Sequence, residues 1–596
     1  MRWRYGVLVG IFLALLSMYP QAVLIYERGS NYNGATFVND NDESVYVAYL
    51  QAIINGRPRK NNIYSGSTEP PPETFLSIQA LPAYVAAIPL KAAGVDAERG
   101  FLFLSVISAF SASVFLFWFL SKVTGNSSFA AFATLFVLVM GMTVAGYGVL
   151  KYFIGINPAS ASMPFLRRYT PGLVFPFVFI LFTSVWFGYE ASERSKRVIY
   201  AGCASACFGI LVYSYFYLWT AAAAWLATLA LLTVILKPDG WRDLIKEFWL
   251  PAFAFCIACA IPYLILVLQR AESTDDAQAL EVTRQLVFSR PSIWLGLLIV
   301  LVLIAFVKYR RTALDKRLTL FIASLALLPI ILFNQQIVTG YSLQPFHYNL
   351  YAAPYAALIS LVLLAWALLN ERLSNLKVSF YVVPIAAICV WGVVESHYVT
   401  QYRLAGNIAR DEAISVARRL SDIGRLDPNT SRSEITFNAN EYQADNQPAI
   451  APQGVLWSEH LPWVSSLSAA AARHRYFQHL YFMNKGISDL RRDLEQCPGS
   501  AACKALFGWR TIPTLAVGRH DPSPEEIESL ITEFEAFLQN FNEKNAYDPS
   551  ISYAVVPASP GFDFTRIDKW YVREGKESHG IYEIYRLHPL DTTLSR

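Results

Sequence analysis

The sequence predicts a mainly α protein: a polytopic membrane helical bundle of about 11 transmembrane helices, followed by a C-terminal extracytoplasmic α/β domain. Three observations predict it. Of 596 residues, 54% are hydrophobic and only 16% are charged, whereas a soluble globular chain carries about 25% charge. The apolar residues cluster, up to about residue 395, in blocks long enough for membrane helices, which need roughly 20 apolar residues each. Beyond that point the chain has ordinary soluble composition. This distribution excludes a soluble enzyme, a disordered chain and a nucleic-acid binder. The net charge of +4 adds little, because most basic residues lie in short loops between apolar blocks.

The blocks lie near 5–25, 101–121, 129–149, 171–189, 198–215, 217–236, 249–268, 291–307, 318–334, 350–369 and 379–395. Each must satisfy its backbone internally, so each reads as a helix. The first follows Met1-Arg2-Trp3-Arg4, is too long for a signal-peptide core and lacks a small-x-small cleavage site, so it reads as a retained anchor. Alternate short loops carry Arg194, Lys196 and Arg197, then Lys237, Arg242 and Lys246, then Lys308, Arg310, Arg311, Lys316 and Arg317, then Arg372 and Lys377. The positive-inside rule places those loops and the N-terminus in the cytoplasm. An odd number of spans sends the C-terminal region across, to the periplasm if the membrane is a bacterial inner membrane. The expected units are 1–395, a transmembrane domain with a large first outer loop at 27–100, and 396–596, a periplasmic α/β domain.

Five cysteines lie inside apolar blocks, where a free thiol behaves as a small hydrophobe. The other two, Cys497 and Cys503, stand in the soluble region as Cys-Pro-Gly-Ser-Ala-Ala-Cys. An oxidising compartment makes them a disulfide pair.

In the first outer loop, Asp42 to Asn55 has helical apolar spacing and ends at Gly56, and a Pro-rich turn at 69–73 opens a second amphipathic helix from about Thr74 to Ala92. The C-terminal region alternates strands (Glu434–Asn438, Gly454–Trp457, Thr514–Val517, Tyr553–Val556, Gly580–Arg586) with helices (Ser465–Phe482, Ser488–Glu495, Pro524–Phe541). It contains neither a Gly-x-Gly-x-x-Gly nor a Walker A pattern.

Three segments carry candidate chemistry. Asn39-Asp40-Asn41-Asp42-Glu43 opens a helix with three carboxylates in four residues. Such a group binds a divalent cation through oxygen ligands, supplies a general base to a hydroxyl nucleophile, or merely caps the helix. The loop from Asn334 to Tyr348 is dense in hydrogen-bonding groups, including Gln344 and His347, and suits a phosphate or sugar; the plain alternative is that they satisfy loop backbone. Arg167 and Arg168 precede the fourth span against the positive-inside trend. They fit either an anionic partner, because guanidinium matches phosphate geometry, or membrane headgroups. The aromatic corner Tyr213–Trp219 is a candidate contact for an isoprenoid chain, although aromatics are also common at membrane interfaces.

The combination resembles the GT-C superfamily of integral membrane glycosyltransferases. Asp42-Glu43-Ser44-Val45-Tyr46 is similar to the family's Asp-Glu helix start, Pro70 to Leu90 to the second half of its first outer loop, and Thr339-Gly340-x5-Phe346-His347 to loops that meet a lipid-phosphate donor. The resemblance implies inverting sugar transfer from a polyprenyl-phosphate-linked donor to a glycan, lipid or protein acceptor at the periplasmic face. It implies Asp42 as the base. Asp40, Asp42 and Glu43 become ligands of a divalent cation (Mg or Mn) only if the chain is metal-dependent; otherwise no cofactor is implied. Arg167, Arg168, Gln344 and His347 become candidates for the donor phosphate. The expected partners are donor, acceptor and membrane lipids, with no nucleic acid. The rival readings are an O-antigen ligase or polysaccharide polymerase, a multispan transporter or flippase, and a non-catalytic scaffold. A transporter needs charges at midplane depth, and these spans are nearly free of them.

Overall fold

The computed structural model describes all residues except 68–70, 155–162, 164–166, 168, 272–273, 276–277, 311–314, 427–431, 466, 498–499, 513–516, 518–520 and 591–596. Ten of the described helices are long and apolar enough to cross a membrane, from Trp3–Asn31 to Ser379–Leu426. The fourth expected span is a shorter helix, Phe175–Glu190, of 16 residues. At 1.5 Å per residue it covers about 24 Å, short of the roughly 30 Å hydrocarbon core. Phe179, Phe182 and Val185 join the bundle core.

The last span does not stop where its apolar run stops. Val378–Leu426 is one helix of 49 residues, continuing past residue 395 into the polar region. Its extension carries the side chains that tie the first long loop down. Asp411, fully buried, accepts the Asn33 and Ala35 N–H groups at 3.0 Å and pairs with Arg28 at 2.9 Å. Arg410 donates to Thr36 O and to Asn446 Oδ1 (2.6 Å), and pairs with Glu98. A buried guanidinium is tolerated because these acceptors occupy its donors.

The first long loop contains the helix Asp42–Ile54, whose residues 43–50 are all buried. It ends where expected: Gly56, at φ +79°, turns the chain and donates to Ile53 O at 2.9 Å. The following helix is not continuous as expected but breaks into Phe75–Ile78 and Leu81–Ala92. Pro82 supplies the reason, since its ring would meet the carbonyl of Ile78 in an unbroken helix.

The C-terminal region holds a five-stranded sheet in the order Gly454–Val455, Ile435–Asn438, Tyr553–Pro557, Tyr582–Pro589, Tyr571–His579. The first two pairings are parallel and the last two antiparallel. Ala469–Phe482, Ile487–Glu495 and Pro524–Gln539 are the helices expected in this region; the expected strand at Thr514–Val517 falls almost wholly outside the described residues. A disulfide joins Cys497 and Cys503, with Cα atoms 5.6 Å apart.

One hydrophobic core unites the two extramembrane regions. Val45, Leu50 and Tyr64 of the first loop pack in the same cluster as Trp457, Phe477, Leu494 and Phe534. The backbone joins them too, as Val455 N donates to Tyr64 O at 2.8 Å. First loop and C-terminal region therefore form a single lid-like body over one end of the bundle.

Candidate active site

The Asp42–Ile54 helix begins with its acidic group facing inward. Asp40 Oδ1 accepts the Asp42 N–H at 3.0 Å, and Glu43 Oε2 accepts the Asn39 N–H at 2.7 Å. Asp40 and Glu43 thus tend the helix start, while the N-cap residue Asn41 makes no side-chain cap bond. The Asp42 side chain is left for tertiary contacts. It accepts from Arg167 Nη2, and His460 Nε2 lies 3.5 Å from its other oxygen.

Arg167 is 2% exposed. Its Nη1 donates to Tyr351 Oη at 2.8 Å, and its Nη2 also reaches Tyr46 Oη at 3.1 Å. The guanidinium lies over both of these rings, 5.1 Å from the Tyr46 centroid and 5.7 Å from that of Tyr351, a favourable cation–π placement. His460, fully buried, is held through Nδ1 by Asp445 Oδ2 at 2.6 Å and has Trp509 beside it, ring centroids 6.2 Å apart.

These neighbours fix the charges. Burial works to raise the Asp42 pKa, but Arg167 and then His460 outweigh it and hold the carboxyl below the usual carboxylate range. Burial likewise works against charge on His460, yet Asp445 and Asp42 raise its pKa well above that of a free imidazole. Around neutral pH the Asp42 anion is therefore held between two cations, Arg167 and His460.

Asp42 lines a cavity of about 260 Å³ at the junction of bundle and lid. Asp40 and Tyr46 line it from the first loop; Tyr215 and Tyr217 from the aromatic corner; Gln344 and His347 from the 334–348 segment, with Tyr351 just beyond it; Lys504 and Trp509 from the C-terminal region. The 334–348 segment is shaped for this by Gly340, which at φ +78° ends the Gln336–Thr339 turn and leads into Tyr341–Leu343, paired antiparallel with Leu280–Val282. Gln344 follows at φ +38°, rare for a residue with a side chain. Its Nε2 donates to Gln278 O at 2.8 Å, leaving a second amide hydrogen. His347 stacks on Tyr217, centroids 4.3 Å apart. Lys504 pairs with Glu459 at 2.8 Å and lies 5.7 Å from the Trp509 centroid.

Of the residues singled out in the sequence, the structure brings together Asp40, Asp42, Arg167, Gln344 and His347. Arg167 stands behind Asp42 and is not part of the cavity wall, its donors being directed to Asp42 and two tyrosines. Arg168 lies outside the described residues. Asp40 and Asp42 both face the Arg167 guanidinium, Asp40 at 3.8 Å, which takes the place of a shared cation, while Glu43 is turned away to the Asn39 N–H. Among the described residues no three His, Cys, Asp or Glu side chains are grouped to hold a metal ion. As arranged, these carboxylates do not fit a shared cation, and no step below is routed through one. Sequence reasoning missed His460, Asp445, Lys504 and Tyr46. A lone histidine before Leu461-Pro462 gives no local signal, and only the fold carries it to Asp42.

No protein-family model matches the chain, and no curated protein matches it in sequence. Among solved structures it is similar to ArnT from Cupriavidus metallidurans bound to undecaprenyl phosphate, with 12% identity over 96% of this chain and 97% of that one, at a TM-score of 0.39.

Proposed function

We propose that this multi-pass membrane protein is a glycosyltransferase of GT-C type that moves a sugar from a polyprenyl-phosphate donor to an acceptor hydroxyl in the cavity at Asp42. The observation that carries the reading is the position of the ionised Asp42 carboxylate in a largely aromatic cavity at the end of the bundle, faced by Lys504 and the Gln344 amide. A lipid-borne phosphate and a water-borne nucleophile both have reason to be at such a boundary, and only there can they meet.

In the reaction the acceptor oxygen forms a bond to the anomeric carbon as the bond from that carbon to the phosphate oxygen breaks. The polyprenyl phosphate leaves with the electron pair, and the acceptor proton passes to Asp42 and then to water. Attack opposite the leaving phosphate inverts the anomeric centre. A carboxylate with a lowered pKa is a weak base, which suits a proton taken late, after C–O bonding has made the hydroxyl acidic. Arg167 keeps Asp42 ionised. Lys504, the spare Gln344 amide hydrogen and His347 are the cavity groups that face growing charge on the phosphate, where preorganised donors act most strongly. The Tyr215–Tyr217 corner supplies apolar surface for the first isoprene units.

Asp42→Asn tests the assignment. Among the described residues the Asp42 side chain caps no backbone group, so the variant keeps its helix. Turnover is expected to fall by something like the 10²–10⁴-fold that a general base contributes, with normal membrane yield. A well-folded Asp42→Asn protein that transfers sugar at the wild-type rate refutes the role.

A further inference from the structure

Beside the first cavity lies a second, of about 480 Å³, within the roughly 300–1,000 Å³ typical of ligand sites. The two share Asn41, Arg403, Glu459 and Lys504 as a common wall. The second cavity is formed by the polar extension of the long helix, including Tyr402 and Arg403, against Glu441, Tyr442 and Trp457 of the C-terminal region. Arg403 lies eight residues past the expected end of the last apolar block, about 12 Å along the helix. This space therefore faces water and not lipid tails.

Its chemistry is specific. Tyr402 and Tyr442 are 55% and 52% exposed, flat apolar faces offered to solvent at a cavity wall. Three acidic groups (Glu441, Asp445, Glu459) balance three basic ones (Arg403, Arg410, Lys504). Most are already matched: Lys504 to Glu459, Arg410 to Glu98, and Asp445 to His460. Among the described residues Glu441, exposed at the cavity, has no ion pair, and Arg403 makes one long hydrogen bond, Nη1 to Asn41 Oδ1 at 3.3 Å. An unpaired acceptor, a guanidinium with only one long hydrogen bond, two tyrosine faces and no net charge suit a neutral ligand whose groups both donate and accept. A strongly charged or wholly apolar ligand would find no counterpart.

We propose that this second cavity is the acceptor site, and that the acceptor is a water-soluble saccharide, its rings against Tyr402 and Tyr442 and its hydroxyls on Glu441 and Arg403. The proposal rests on the glycosyltransferase reading. The saccharide reaches Asp42 past the Lys504–Glu459 pair, its hydroxyl oxygen displaces polyprenyl phosphate from the anomeric carbon, and its proton leaves through Asp42.

The test uses full-length protein in native membranes whose lipid-linked sugars are labelled with tritiated hexose. Wild type is expected to move label from the chloroform–methanol phase into water-soluble glycan. Ala505→Trp fills the cavity from the C-terminal side, and Glu441→Gln removes the exposed acceptor charge without disturbing the core. Each is expected to lower transfer at least tenfold while retention of a tritiated polyprenyl phosphate by the purified variants stays at the wild-type level. Label that is transferred but remains in the organic phase identifies a lipid acceptor and overturns the proposal. So does wild-type transfer by both variants. If wild type transfers no label from the lipid pool to any product, the glycosyltransferase reading itself falls, and this proposal with it. Loss of lipid retention along with transfer in both variants assigns the second cavity to the donor and also overturns the proposal.

Discussion

Asp42, at the start of the helix Asp42–Ile54, and His460, from the C-terminal sheet region, meet at 3.5 Å, with Asp445 bound to the far side of the imidazole at 2.6 Å. The candidate centre is thus shared between two segments far apart in the chain. The C-terminal region contributes to the site directly and is not an appendage to the bundle.

That contact makes the lid sensitive to alkali. His460 has a raised pKa in the folded state, so its contribution to stability is complete below the ordinary imidazole value of about 6.5 and is lost as pH rises through the folded value. The thermal unfolding midpoint of the wild type is expected to decline as pH increases from about 7. His460→Gln should start lower and show a flatter decline. Parallel profiles for the two proteins would contradict the linkage.

The acid side belongs to Asp42. Its pKa is lowered, so the acid limb of kcat/KM should lie below about 4, the ordinary aspartate value. Arg167→Lys keeps a positive charge but loses the fork that reaches Asp42 and both tyrosines. With burial less well opposed, its acid limb should move toward neutrality by about one unit, within the range a neighbouring guanidinium produces. An unchanged limb would mean that Arg167 does not set the Asp42 charge.

For the Cys497–Cys503 disulfide, the expected result is a thiol count. Unfolded protein prepared without reductant should label at five cysteines, Cys203, Cys207, Cys256, Cys259 and Cys389, and the reduced protein at all 7. Because the closed loop is short, Cys497→Ser with Cys503→Ser should cost toward the low end of the roughly 2–4 kcal/mol typical of disulfides. Labelling of all seven before reduction would remove the bridge from the account.

Orientation is open to a direct measurement. With the N-terminus inside, alkaline phosphatase fused after Leu590 should be active and a fluorescent protein that folds only in the cytoplasm should be dark. The reverse pattern would put the cavity at Asp42 on the cytoplasmic face.

The bundle was legible because hydropathy is a local property: each apolar block became a helix at nearly the expected place. The acidic motif and the Gln344–His347 segment were legible as unusual chemistry between apolar runs. Their partners were not. Nothing near Arg167 in sequence marks it as the counter-ion of Asp42, since that pairing depends on how two loops close over the bundle. The strand Tyr571–His579 was missed for a physical reason. It is an edge strand reading Tyr-Val-Arg-Glu-Gly-Lys-Glu-Ser-His, exposed along most of its length, and charged residues are what keep such an edge from pairing with other chains. The helix break at Pro82 was readable from the proline, whereas the extension of the last span to Leu426 left no hydropathic trace because its outer part is amphipathic.

The long helix Val378–Leu426 has a mechanical consequence. At 1.5 Å per residue its 49 residues make a rod of about 74 Å, anchored at one end among the spans and clamped near Arg410 and Asp411 to the first loop. A rod transmits torsion. One residue inserted between Glu395 and Arg403 would turn everything beyond it by about 100°, carrying Arg410 away from Glu98 and tearing the lid from its seat. Seven inserted residues restore the phase to within about 20° but add two turns of length, so the lid would face the right way from the wrong height. The helix therefore acts as a gauge that sets both the azimuth and the height of the soluble region above the bilayer, and its length in this stretch is fixed even where its side chains face water.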